Sequence, residues 1–272
     1  MANGFINDCA LLARLYGGME QNYQNVWESL EIFLRDYAFA RQGASQDYSS
    51  AAVDIIKSFK QRSFLEVTAG EVWNAFSDRL NGEKLNHKNN PLCPKGVNNV
   101  EKYSVIEVVQ QKLNGESVVL KINTFLQQNN IRQIHNTLQQ INGIGSKIAS
   151  FFLRDVSVSL GVFAQNDRYL LQPVDTWIRF CIQTCARNIE LTDNQIAQYI
   201  VDNAAEPEQT NQGMWYFCSR VAESSKYVVR HSIENPNFRA DLIRKHCNQL
   251  ITGGETATEF LCDGRWPKTV SN

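Results

Sequence analysis

Along NYQNVWESLEIFLRDYAFAR, residues 22–41, the apolar positions Val26, Trp27, Leu30, Phe33, Leu34, Tyr37 and Ala38 recur at intervals of three and four. That period lays one apolar stripe along a helix. Ser45 or Asp47 can cap a second helix carrying Ala51, Ala52, Ile55, Ile56 and Phe59. Thr68, with Glu71 three residues later, forms a capping box ahead of Val72, Trp73 and Phe76. Strand-like alternation is rare. Further helical patterns run through YSVIEVVQQKL, VVLKINTFLQQ, IRQIHNTLQQI, KIASFFLRDVSVSL, TWIRFCIQTCAR, DNQIAQYIVDNAA (capped by Thr192 or Asp193) and the longer GMWYFCSRVAESSKYVV. Between them, residues 81–99 are polar, rich in Gly and Pro and aperiodic, which predicts a loop. The final ITGGETATEFLCDGRWPKTVSN is irregular. There is no internal repeat, and the pattern predicts an all-α chain.

Composition narrows the class. At 272 residues and 43% hydrophobic content the chain can bury a sizeable core. No apolar run approaches the ~20 residues of a membrane span, and the N-terminal stretch lacks the basic and apolar regions of a secretory signal. Seven cysteines, odd in number and never in a CxxC pair, fit reduced thiols better than a disulfide framework. A net charge of −1 gives no global attraction to nucleic acid, so any such binding must be local.

The segment INGIGSK, residues 141–147, brings in chemistry. Gly143 and Gly145 between two amphipathic segments read as a tight turn, with either a positive φ or a close backbone approach. The N–H groups of Ile144, Gly145, Ser146 and Lys147 then open a helix, where unpaired donors and the positive dipole end suit a DNA phosphate. A bare turn of this kind is common. Lys147 is the anomaly, because a cation in a first helical turn is disfavoured by ~0.3–1 kcal/mol. The same field favours the neutral amine that a nucleophile needs. Twenty-eight residues later comes QPVDTWIRF, in which Asp175 reads as an N-cap. A carboxylate held ionised at a helix start can also face a developing cation.

INGIGSK followed by PVDTW resembles the helix-hairpin-helix GPD superfamily of DNA glycosylases, over roughly residues 131–187. The resemblance implies two helical lobes with the active site in the cleft between them. The expected division is 52–190 for the lobe with the hairpin and the catalytic pair, and 1–51 plus 191–272 for the other. Lys147 takes the role of the nucleophile of the bifunctional members, which also cut the strand, and Asp175 that of the catalytic acid. The interval between them is longer than in most members. The four-cysteine loop of the endonuclease III branch is missing, since Cys181 and Cys185 are the cysteines on that helix, so no iron–sulfur cluster is expected.

The long interval, the lysine and Phe151 one turn after it look most like the archaeal-type 8-oxoguanine glycosylases. In these an aromatic at that position and a tryptophan from a later helix sandwich the flipped base. Phe151 fits the first position and Trp215 is the candidate for the second, with Gln42 and Trp73 for contacts to the base edge. The resemblance also implies that the hairpin from Gly143 through Ile144, Gly145 and Ser146 to Lys147 clamps the strand through its phosphate, with a monovalent cation on hairpin carbonyls and no other cofactor. The expected function is a bifunctional DNA glycosylase and AP lyase on an oxidised purine, acting as a monomer on damaged DNA, in the cytoplasm at the nucleoid or in a eukaryotic nucleus. The alternatives are a relative specific for another damaged base, such as an oxidised pyrimidine, and a non-catalytic DNA-binding protein. His87 and Cys93 are too few for a zinc site. Arg132, Arg154, Arg168 and Arg179 near the motif are candidates for phosphate contacts, His135 reads as a polar position facing water or the helix pair, and GRW at 264–266 suits a docked tail or a partner.

Overall fold

The structure is a computed structural model that describes residues 2–16, 23–39, 46–80, 89–187 and 189–252. These form thirteen α-helices: α1 Ala2–Leu12, α2 Val26–Phe33, α3 Gln46–Phe59, α4 Ala69–Arg79, α5 Val105–Lys112, α6 Val118–Gln127, α7 Ile131–Leu138, α8 Ser146–Leu160, α9 Thr176–Cys185, α10 Asp193–Asn203, α11 Pro207–Tyr216, α12 Lys226–Glu234 and α13 Pro236–Thr252. No strand occurs among the described residues, where an isolated parallel bridge joins Tyr103 to Ile141. The all-α expectation holds, and among the described residues no helix is long and apolar enough to cross a membrane.

The chain divides into two compact units, Gly18–Leu171 and Met1–Gly17 with Gln172–Asn272. These boundaries differ from the expected 51/52 and 190/191. Packing explains the shift. The stripe of α2 buries Trp27, Leu30 and Phe33 in one core with Ala52 and Ile56 of α3, Phe76 of α4 and Phe152 of α8, so α2 and α3 belong with the middle of the chain. Ile178 and Ile182 of α9 are buried with Phe5, Ile6 and Leu12 of α1, Ile196 of α10, and Met214 and Phe217. Lys147 and Asp175 therefore lie in different units.

In the first unit, Thr68–Glu71 forms the expected capping box on α4 and Ser104–Glu107 forms another on α5. Asn25 caps α2, whose last turn widens into a π-turn over Leu34–Ala38. Ser45 lies outside the described residues. In the second unit α1 crosses α11 so closely that a Cβ on Gly213 would stand 1.6 Å from the carbonyl oxygen of Cys9. The single helix expected through residues 213–229 is broken. A π-turn over Phe217–Val221 ends it, Glu223 and Ser224 take left-handed φ values of 49° and 60°, and Ser225 caps α12 afresh. A serine pair after a glutamate reads as a helix surface in an apolar pattern, but its side chains compete for backbone donors and favour caps and turns.

Candidate active site

Residues 139–145 connect α7 to α8, and Tyr103 holds them in place. Its N–H donates to the Gln140 carbonyl at 3.1 Å and its own carbonyl accepts from Asn142 N–H at 2.8 Å. The buried Asn142 side chain donates through Nδ2 to the Asn90 carbonyl at 3.0 Å. Gly143 sits at φ +76°, and a Cβ there would stand 2.2 Å from the Asn89 carbonyl oxygen. Both conformation and space demand glycine at 143. Neither does at 145, where φ is −107°, ψ is 177° and a Cβ would meet nothing within 4 Å.

Gly145 is the N-cap of α8 and supplies no side-chain cap. The first backbone bond of the helix runs from Ala149 N–H to the Gly145 carbonyl at 3.1 Å. The N–H groups of Ser146, Lys147 and Ile148 therefore precede the intrahelical ladder and carry the positive end of its dipole. Gly145, Ser146 and Lys147 are exposed. One expected donor drops out: Ile144 N–H is used within the turn, donating to the Ile141 carbonyl at 3.1 Å, and its side chain is buried. Gly143 packs under the turn. The donors left at the start of α8 are thus those of residues 145–148.

Beneath the turn lies a cation that sequence reasoning missed. Lys102 Nζ donates to the carbonyls of Gln139 at 2.8 Å and Ile144 at 3.2 Å. His135 was expected to face water or the helix pair and is buried between α7 and α8. Gln139 Nε2 meets its Nδ1 at 3.0 Å, and Ser150 Oγ lies 3.2 Å from its Nε2. Burial is the main cause that lowers its pKa below the usual histidine value, with the nearby Arg132 charge acting the same way.

One turn into α8, Phe151 is half-buried. The Arg154 guanidinium lies over its ring, 4.4 Å from the centroid, and Tyr37 packs against it at 5.7 Å. Arg154 is fully buried, so it is not the phosphate contact its sequence position suggested. It donates through Nε to Asp155 Oδ1 at 2.8 Å, while Tyr37 hydroxyl donates to Asp155 Oδ2 at 3.1 Å. A helix face carrying Arg and Asp side by side reads as solvated; here Tyr37 and Phe151 close over the pair. Arg132 is held by Asp167 at 2.7 Å and Arg179 by Asp193, which reduces what either offers a phosphate. Arg168 is half-buried. Trp73 is 6% exposed and packs on Phe76 in the core, a packing position rather than the base contact expected. Gln42 lies outside the described residues.

In the other unit Asp175 caps α9 as its spacing predicts. Oδ1 accepts from Trp177 N–H at 2.9 Å and Ile178 N–H at 2.8 Å, while Oδ2 accepts no hydrogen bond among the described residues. The approach to it is pinned from α11, whose first turns bury polar residues. Gln172 Nε2 donates to Glu208 at 3.4 Å, and Asn211 Nδ2 donates to the Pro173 carbonyl at 3.3 Å. Trp215, further along α11, is half-buried with its ring edge-on to Tyr16 at 5.7 Å. Nothing in PEQTNQ announces burial, because its polar residues read as a solvated helix start.

Among the described residues no group of three or more His, Cys, Asp or Glu side chains is arranged to hold a metal ion. His87 lies outside them, and burial raises the Cys93 thiol to about 11. Cys181 of α9 faces Cys218 at 3.3 Å between sulfurs, both thiols being free. Burial pushes Cys185 up to about 12. Thiols so protonated are poor nucleophiles and poor ligands. The GRW stretch at 264–266 lies outside the described residues.

No family model matches the chain. No solved structure matches it either. It is similar to an uncharacterized protein of Methanocaldococcus jannaschii, MJECL21, at 22% identity. The match takes in 72% of this chain and 59% of that protein, so the chain spans less than two thirds of the relative's length.

Proposed function

We propose that the protein is a bifunctional DNA glycosylase and AP lyase acting on an oxidised purine such as 8-oxoguanine. The observation that carries this reading is the start of α8. Lys147 stands exposed there beside an uncapped set of backbone donors, behind a glycine at 145 that neither conformation nor packing requires. A cation gains nothing from that field, and a glycine with open space before its Cβ position suits the close approach of another molecule's backbone. The resemblance of INGIGSK and PVDTW to the glycosylase signature supplies the class.

A base inside a duplex must be extruded, at a cost of a few kcal/mol. Stacking on an aromatic side chain, worth ~1–3 kcal/mol per base, offsets it. Phe151 supplies one such surface. Arg154 already covers one face of that ring, so the base stacks on the other, and Trp215 is the candidate for the opposite wall. The donors of Gly145, Ser146 and Lys147 hold the strand by a phosphate. The Lys147 amine attacks C1′ of the deoxyribose, forming the C–N bond as the bond to the base breaks, and the proton that the new ammonium loses passes through Asp175 to the departing base. The open Oδ2 of Asp175 stabilises positive charge building on the sugar and accepts the ammonium proton. The C1′–O4′ bond then opens, O4′ taking a proton from water as the C1′–N bond becomes the double bond of a Schiff base, which loses its C2′ proton and expels the 3′ phosphate, nicking the strand. The mechanism requires Lys147 and Asp175 to reach one sugar.

Borohydride reduction in the presence of oligonucleotides carrying 8-oxoguanine, thymine glycol, uracil or an abasic site tests this. The expected result is a covalent adduct with 8-oxoguanine and the abasic site, lost in Lys147→Gln while DNA binding persists. Equal trapping by Lys147→Gln removes the nucleophile assignment. Adducts with thymine glycol but not 8-oxoguanine move the substrate to oxidised pyrimidines.

A further inference from the structure

We propose that Lys102 is the resident cation of the α7–α8 turn, taking the carbonyl site that the glycosylase resemblance would fill with a monovalent metal ion. The proposal rests on the DNA-binding reading of this turn. A metal ion does not fit these residues. The carbonyls of Gln139 and Ile144, which approach each other where the turn closes, both accept hydrogen bonds from the Lys102 ammonium, at 2.8 and 3.2 Å. A second cation on the same two oxygens would lie within a few ångströms of a like charge and compete for the same lone pairs.

The placement of Lys102 is built, not incidental. Its neighbour Tyr103 is locked to both sides of the turn by backbone hydrogen bonds, to Gln140 O at 3.1 Å and from Asn142 N–H at 2.8 Å. Tyr103 is also held from outside, with Lys95 Nζ 4.5 Å from its ring centroid. Lys102 therefore begins its reach from a fixed backbone point beside the two carbonyls. A peptide unit is planar and trans, so the Ile144 carbonyl that accepts from Lys102 shares its plane with Gly145 N–H, which points the opposite way. An ammonium on that oxygen draws electron density from the amide and strengthens Gly145 N–H as a donor. Gly145 N–H is the first of the donors left exposed at the start of α8. Lys102 thus acts as a positioning residue, through the peptide, on whatever anion the turn binds.

The test compares wild type with Lys102→Met and Lys102→Arg. Affinity for a duplex carrying a tetrahydrofuran abasic analogue is measured in potassium chloride and in tetramethylammonium chloride at equal ionic strength, the latter cation being too large for the site. Wild type and Lys102→Arg should bind equally in both salts. Lys102→Met should bind about tenfold more weakly in tetramethylammonium and recover in potassium, the scale expected for a charge-assisted hydrogen bond. Three results overturn the proposal: wild type that needs potassium, Lys102→Met that matches wild type in both salts, or Lys102→Met weakened equally in both. If no protein binds the duplex, the glycosylase reading fails, and amide exchange of residues 139–149 without DNA decides this proposal instead. Faster exchange in Lys102→Met that potassium slows supports it, and exchange equal to wild type overturns it.

Discussion

Gly143 and Gly145 differ by two positions and by everything that makes a residue glycine. Gly143→Ala asks for a side chain at φ +76° with an oxygen 2.2 Å away, and should cost about 1–3 kcal/mol or more in urea unfolding. Gly145 has the extended backbone of an ordinary N-cap, φ −107° and ψ 177°. Serine there can accept from a first-turn N–H, so Gly145→Ser should stabilise the protein by about a few tenths of a kcal/mol. On the proposed function it should also weaken binding to abasic-site DNA, because the new hydroxyl would take a donor meant for the phosphate and crowd its approach. A variant that is both more stable and equally tight in anisotropy titrations would mean that glycine at 145 serves no ligand.

At the scale of helices, α8 joins the apolar core to the candidate site through one buried ion pair. Arg154 is fully buried, bonded to Asp155 and laid over Phe151, and Asp155 is shared with Tyr37 of the π-turn after α2. Removing one partner of such a pair leaves an uncompensated buried charge, at a cost of about 3–5 kcal/mol. Asp155→Asn should lose stability on that scale in urea unfolding, and a loss below about 1 kcal/mol would mean that water reaches the pair. Helix identity was legible because the stripe of Trp27, Leu30 and Phe33, the capping box of Thr68 and Glu71 and the cap at Asp175 are local, set within a few residues. What was not legible is non-local. Arg154 and Asn211 are polar letters whose burial depends on residues far along the chain, such as Tyr37 and Pro173. Lys102 looked like one more surface lysine, because its partners are main-chain oxygens of a turn nearly forty residues away, which no side-chain pattern records.

Over the whole molecule the charges nearly cancel, at −1, so net charge supplies no long-range steering of DNA. On the proposed function, attraction would come chiefly from the backbone donors at the start of α8. Arg132, Arg154 and Arg179 are already committed to aspartates. Each phosphate neutralised contributes about −0.9 to the slope of log K against log salt. A contact set of two or three phosphates therefore predicts a slope of about −2 to −3, shallow for a DNA-binding protein. Anisotropy titrations with abasic-analogue duplex across about 50–200 mM potassium chloride measure it directly. A slope of about −6 or steeper would require more phosphate contacts than the start of α8 can make, and would move the interface away from it. A shallow slope also makes the pocket carry the selectivity. On the proposed function, residence at undamaged DNA would then be brief, and stacking at Phe151 on an extruded base would be the step that distinguishes damaged from normal sites.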